Sequence, residues 1–333
     1  EWTIVVVLIT SATLFSQEKK LQKGKNQFDR YQYIDAQKTY LKVVKKGYRS
    51  ADLFMNLGDS YYFNSQYEEA LKWYKELVDS YPSEVLPEYY FRYAQSLKAV
   101  EKYDEANNYM QKFAEVNGDD QRAKPIQNTS DYLIRIDYQS GRFEIKNENV
   151  NTLFADFGAA FYGENIVFTS SRDTLITRNN VHQWNDAAFL NLFEAKYNDS
   201  DKSLSPDVDR FDKKINSKFH ESTPVFTKDQ RTVYFTRNNY ENRKLKRDQK
   251  GTNKLKIYRS YKNAQGGWTT PQNLSFNSDE YSVAHPALSK DEKTLYFSSD
   301  MPGGKGASDI YSVAINDDGS FGEPKNLGER INT

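Results

Sequence analysis

Apolar and small residues along the first third of the chain recur with a period near 34 residues. The middle unit is clearest, with Phe54, Leu57, Gly58, Tyr61, Ala70, Tyr74, Leu77 and Pro82 in phase. The pattern predicts two antiparallel amphipathic helices that interlock through one small residue on each, Gly58 on the first and Ala70 on the second. Pro82 should end the second helix, because its ring clashes with the preceding turn and it has no N–H to donate. Shifting back by 34 brings Gly24, Ala36 and Tyr40 into phase; shifting forward by 36 brings Ala94, Ala106 and Met110. Three helix pairs are therefore expected between about Gln17 and Gly118. A further helix at Ile126 to Ile136 is expected to cap the array, since a terminal repeat must cover its apolar face.

Near Gly141 the period changes from helical to alternating. Three segments each read as strand, tight turn, strand: Gly158–Phe161 with Ile166–Ser170, Thr223–Phe226 with Thr232–Thr236, and His285–Leu288 with Thr294–Ser298. A third strand follows each time, at Leu192–Ala195, Lys256–Arg259 and Asp309–Ser312. In the last two a fourth element follows, Trp268 to Leu274 and Phe321 to Leu327. Pro224 and Pro286 lie 62 apart, as do Phe235 and Phe297, while Phe168 and Phe235 lie 67 apart. Repeated four-stranded units of this kind build β-propellers. Two packed sandwiches are the structural alternative. The expected fold class is α + β in separate domains: an α-solenoid over 17–140, capping helix included, then about three propeller blades over 141–333. Three blades do not close a ring, so the propeller is expected to be incomplete and both ends of the sequence to be cuts.

The helical offsets reproduce the tetratricopeptide pattern. The strand pattern resembles the TolB-like (WD40-like) propeller repeat, especially Ser222-Thr223-Pro224-Val225-Phe226-Thr227-Lys228-Asp229 and Ala284-His285-Pro286-Ala287-Leu288-Ser289-Lys290-Asp291. Tetratricopeptide units followed by Leu295–Gly304 and Ser308–Tyr311 look like the large OmpA-family envelope proteins of Bacteroidota, which include the peptidoglycan-tethering component of the type IX secretion system. The resemblance implies a C-terminal OmpA-like domain that grips peptidoglycan. That domain is not among these residues, so peptidoglycan binding is assigned to none of them.

Composition narrows the picture. The 46 Lys and Arg balance the 46 Asp and Glu, which gives no general attraction to nucleic acid or acidic lipid. With no Cys there is no disulfide, no thiolate metal site, no Cys nucleophile and no lipoprotein cysteine. Trp2 to Gln17 is uncharged and centred on Ile4–Ile9, too short for a membrane span and of the length of a signal-peptide core. Residues 1–16 are therefore expected to be a signal peptide, truncated because the chain opens on Glu1 without a basic lead-in.

Candidate chemistry is sparse. No G-x-S-x-G elbow is present, and Gly303–Ser308 lacks phosphate-loop spacing and sits between strands, so it reads as a turn. His182, His220 and His285 have no partner at metal-ligand spacing. Asp207, Asp209 and Asp212 miss the calcium-loop spacing and read as a solvated connector. The basic run Arg243 to Lys256 carries no interleaved aromatic and reads as a solvated loop. The expectation is a non-enzymatic scaffold with no cofactor, metal, nucleic-acid partner or membrane span. It would be periplasmic and outer-membrane-associated, binding other envelope proteins through the solenoid groove. Asn56, Tyr62, Asn64, Tyr90 and Gln95, on first helices away from the small-residue face, are the candidate groove residues. The alternatives are the propeller module of a larger exported enzyme and a propeller that binds glycan or peptide.

Overall fold

Residues 17–124, 132–173 and 181–332 are described in the computed structural model, and the expected signal segment lies outside them. They fall into two units, one running to Glu144 and taking in His182–Asp186, the other comprising Ile145–Val181 and Ala187–Thr333.

The first unit holds three helix pairs: α1 (17–28) with α2 (Tyr33–Val44), α3 (Ala51–Tyr62) with α4 (Tyr67–Ser80), and α5 (Pro87–Ala99) with α6 (Tyr103–Val116). The crossings show why glycine stands where it does. A Cβ on Gly58 would lie 2.4 Å from the Tyr74 ring, and one on Gly24 would lie 2.5 Å from the Tyr40 ring. In the third pair Ala94 and Met110 share one cluster, and the slimmer side chain leaves room for a methyl. Each first helix ends the same way. Tyr31, Ser65 and Glu101 are left-handed, at φ 59°, 56° and 62°. The next residue's N–H reaches back five positions, from Gln32 to Gln27 O, Gln66 to Tyr61 O and Lys102 to Leu97 O. This is the Schellman termination usually built on glycine, here made three times without one.

A helix also forms near the expected cap, α7 (Tyr132–Gln139), but Ile134, Ile136 and Tyr138 are exposed. Among the described residues it does not cover the array. Ala123 does so instead, packed against Phe113 and Ala114.

The second unit holds three four-stranded antiparallel sheets of blade-like form. The first runs β1 (Asp156–Tyr162), β2 (Asn165–Ser170), β5 (Asn191–Asn198), β6 (Ser203–Arg210), with a small hairpin of β3 (Val181–His182) and β4 (Ala187–Ala188) between β2 and β5. The second runs β7 (Glu221–Phe226), β8 (Thr232–Asn238), β11 (Leu255–Tyr261), β12 (Gln272–Asn273), with the hairpin β9 (Tyr240–Glu241) and β10 (Lys244–Leu245) between β8 and β11. The third runs β13 (Val283–Leu288), β14 (Thr294–Ser299), β15 (Asp309–Ala314), β16 (Lys325–Asn326).

Two expectations are corrected. The Asp207–Asp209 stretch is a strand, β6, and Pro206 is tolerated there because β6 is an edge. The basic run is not a loop throughout: Lys244 lies in β10, and Lys256 is buried in β11, where the third strand was also expected, and is paired at 2.6 Å with Asp279.

One device recurs at each sheet. The first strand carries a bulge at Gly158, Thr223 or His285, all left-handed. The bulge N–H of Thr223 donates to Thr169 Oγ1 of the preceding sheet at 3.0 Å, and that of His285 donates to Thr236 Oγ1 at 2.8 Å. Apolar side chains fill the spaces between neighbouring sheets: Val167, Leu192 and Ile215 meet Val233, Phe235 and Trp268, while Tyr234, Ile257 and Phe276 meet Leu295, Phe297 and Val313. Consequently β8 is buried on both faces, whereas β14 alternates between covered and open positions. A second device pins the third strands: Asn216 and Asn277 each accept from and donate to one main-chain residue, Leu192 and Ile257 respectively.

Candidate protein-binding site

A dense polar constellation lies in the helical unit and starts from a buried carboxylate. Asp59 follows Gly58 on α3, so it is carried into the packed interior. Its Oδ1 accepts from the Tyr74 hydroxyl at 2.7 Å and pairs with Arg92 Nη1 at 2.7 Å, and its Oδ2 accepts from the Tyr89 hydroxyl at 3.2 Å. Arg92 Nε donates to Glu88 at 3.1 Å, and Arg122 grips the same carboxylate at 2.8 Å. Burial pushes the Asp59 carboxyl up, opposed by the Arg92 guanidinium and the two hydroxyls. The same burial works against the Arg92 charge, but Asp59 outweighs it and holds Arg92 protonated. Tyr74 is raised well above its usual value, first by burial and then by the adjacent carboxylate.

The Arg92 guanidinium carbon also lies 4.9 Å from the Phe63 ring centre, 5.7 Å from Tyr89 and 5.9 Å from Tyr62. Beyond Phe63 the aromatic surface continues to Tyr33 and Tyr31, and there Trp184 is seated. Its ring lies edge-on to Tyr33 at 4.8 Å, stacks on Tyr31 at 5.8 Å and meets Phe63 at 6.4 Å. Its Nε1 donates to Phe63 O at 3.1 Å.

The five candidate groove residues each take contacts of their own. Tyr62 borders the Arg92 cluster. Asn64 Nδ2 donates to Ser60 O at 2.9 Å and so finishes α3. Asn56 is half-buried on α3, and its carbonyl accepts from Ser60 Oγ. Tyr90 stacks on Tyr109 and packs with the Phe113 cluster, while Gln95 is half-buried on α5. Asp59, Tyr89, Arg92, Tyr31, Tyr33 and Trp184 went unnamed in the sequence. The available signals were an acidic residue beside a packing glycine and a tryptophan in the insertion between β2 and β5.

His182 and His220 pack against aromatic neighbours. His182 stacks on Trp184 at 6.4 Å, and burial lowers its pKa. His220 Nδ1 accepts from Leu190 N at 3.0 Å. His285 occupies a bulge with its side chain exposed, and the partial desolvation it meets there lowers its pKa. Gly303–Ser308 forms a turn closed by Asp309, whose carboxylate accepts from Lys305 N and Gly306 N at 2.5 and 2.9 Å.

The tetratricopeptide-repeat family model matches residues 21–85, which takes in most of α1 and all of α2 to α4. No curated protein matches the chain in sequence. Among solved structures, PcrH from Pseudomonas aeruginosa is 19% identical, covering 36% of this chain and 90% of its own, at a TM-score of 0.28. The Sgt2 tetratricopeptide domain from Aspergillus fumigatus is 16% identical, covering 41% and 91%, at 0.32. An α-L-arabinofuranosidase from Lactobacillus brevis is 14% identical, covering 53% of each chain, at 0.33. At these scores the likenesses carry no inference about activity. The N-terminal unit is a tetratricopeptide array, a fold that works by contact with protein partners.

Proposed function

We propose that the protein is a non-enzymatic scaffold of the periplasm, associated with the outer membrane, whose helical array binds another envelope protein. The observation that carries this reading is the Asp59–Arg92 constellation: a charge pair whose carboxylate also accepts from Tyr74 and Tyr89, edged by Tyr62, Phe63 and Tyr89 and able to offer rigid aromatic and guanidinium contacts. Support for export comes from the uncharged apolar run Trp2–Gln17. Among the described residues no helix is long and apolar enough to cross a membrane. Attachment to peptidoglycan, and with it a role in tethering a secretion or other envelope machine, rests on the OmpA-like domain that the family resemblance implies.

The test is in-cell cross-linking and capture of the tagged chain, wild type against Tyr62→Ala and Gln95→Ala. An envelope protein captured by the wild type and reduced at least fivefold by Tyr62→Ala is expected. Capture unchanged by both variants would remove the array from the binding role. Recovery of the chain in the cytoplasmic fraction would overturn the location.

A further inference from the structure

The hairpin of β3 and β4 is an excursion from the first sheet, and its tip, His182–Asp186, groups with the helices. The tip is seated as a peptide ligand is seated. One large ring meets three others, and one indole N–H meets one carbonyl. Flanking polar contacts set direction: Gln32 Nε2 donates to Gln183 Oε1 at 2.7 Å, and Lys38 Nζ pairs with Asp186 at 3.1 Å.

The receptor side carries a feature that folding alone does not account for. Tyr31 is the left-handed residue of the first Schellman turn, where the other two repeats place the smaller or more flexible Ser65 and Glu101. An aromatic residue is unfavourable in that backbone region, and Tyr31 remains 44% exposed, so little core burial offsets the strain. What it gains is the parallel stack on Trp184, with an interplanar angle of 14°. On the ligand side the hold is light. Gln183, Asn185 and Asp186 are exposed, and the Lys38–Asp186 pair is a surface pair with both side chains about half exposed.

We infer that the notch of Tyr31, Tyr33 and Phe63 is a recognition site for a tryptophan-bearing peptide with an acidic residue two positions on, held closed in cis by Trp184 and opened to such a segment of a partner protein when the hairpin tip withdraws. This deepens the protein-binding reading above and rests on it. The indole supplies stacking area and the N–H directed at Phe63 O, and the acidic residue meets Lys38. Occupancy in cis lowers the apparent affinity for a partner peptide through the high effective concentration of the tethered tip.

The experiment uses the full chain and a labelled heptapeptide, Val-His-Gln-Trp-Asn-Asp-Ala, the sequence of residues 181–187, read by fluorescence anisotropy. Trp184→Ala is expected to bind it at least tenfold more tightly than the wild type. Binding should be lost when Tyr31→Asn is added, a change that also relieves the left-handed strain. A peptide with alanine for tryptophan should not bind. Equal binding by wild type and a folded Trp184→Ala variant, or binding indifferent to Tyr31→Asn, overturns the inference. A second measurement does not depend on Trp184→Ala folding: Tyr31→Asn alone should speed exchange of the Asp186 amide, which donates to His182 O, at least tenfold. Unchanged exchange counts against the notch. Failure of these measurements with envelope capture intact removes the notch and leaves the partner-binding reading standing.

Discussion

The carboxamide of Asn332 closes on the main chain of Ile310: Ile310 N–H donates to its Oδ1 at 2.8 Å, and its Nδ2 donates to Ile310 O at 2.9 Å. The same grip joins Asn216 to Leu192 and Asn277 to Ile257, so all three sheets fix the start of their third strand with one amide. An amide side chain is a peptide group in miniature, with one acceptor and a donor at the spacing a strand would offer. The three asparagines sit in Ile215-Asn216-Ser217, Phe276-Asn277-Ser278 and Ile331-Asn332-Thr333. This is a repeat signature as regular as the strand pairs. Asn277→Ala strips both partners from the buried Ile257 and is expected to destabilise the β unit by about 2–4 kcal/mol, measured by urea denaturation followed through Trp268 fluorescence. Asn277→Asp should not rescue it, because a carboxylate cannot donate to the Ile257 carbonyl.

Gly58→Ala places a methyl 2.4 Å from the Tyr74 ring, far inside contact distance. Alanine favours helix by about 1 kcal/mol over glycine. Overpacking a rigid ring should outweigh that and leave a net loss of about 1–3 kcal/mol. Thermal unfolding followed at 222 nm checks the sign, and adding Tyr74→Leu should recover part of the loss. A gain in stability would mean that the α3–α4 crossing relaxes freely.

Arg92→Leu leaves the buried Asp59 carboxylate without its cation. The expected cost is about 3–5 kcal/mol, largely from the uncompensated charge rather than the lost attraction. The double variant Asp59→Asn, Arg92→Leu should be more stable than Arg92→Leu alone, because a neutral amide can keep the Tyr74 and Tyr89 contacts without the charge. Denaturation midpoints of the four proteins in the cycle measure the coupling.

Glu221 is fully buried at the start of β7, accepting from Arg237 Nε at 2.8 Å and from Ser217 N at 2.8 Å. Burial pushes its carboxyl up to about 7, against the pull of Arg237 and Ser217. A carboxyl that binds its proton more tightly when folded adds stability at low pH. That contribution is complete below the ordinary value of 4.5 and is lost as pH rises through 7. The β unit should therefore lose up to about 3 kcal/mol across that window from this group. In Glu221→Gln the slope should flatten when urea midpoints are taken every half unit from pH 4.5 to 7.5.

Much of the fold was legible because it is repetitive. Gly58, Ala70 and Tyr74 announced the helix crossings, since only small residues admit a ring against a backbone. Pro224 and Pro286 marked equivalent strands. Strand β6 escaped because Ser205-Pro206-Asp207 has the composition of a loop, and an edge strand needs neither an apolar run nor every N–H. The cover of the helical array was misplaced because Ile134 and Ile136 have the makeup of a core helix, yet Ala123 does the packing. The candidate site was harder to read. Asp59 and Arg92 come from different helix pairs, and the Tyr31–Trp184 stack joins residues 153 apart in sequence, a pairing no local pattern encodes.

Tyr234 and Tyr296 occupy the same place in consecutive sheets, as do Ile257 and Ile310, yet Tyr234 and Ile257 are 3% and 0% exposed while Tyr296 and Ile310 are 37% and 43%. The face that carries Tyr234 and Ile257 is closed by the sheet that follows it, whose Leu295, Phe297 and Val313 pack there. A serine at 234 would therefore empty a space that two sheets share, and the loss would loosen the third sheet along with the second.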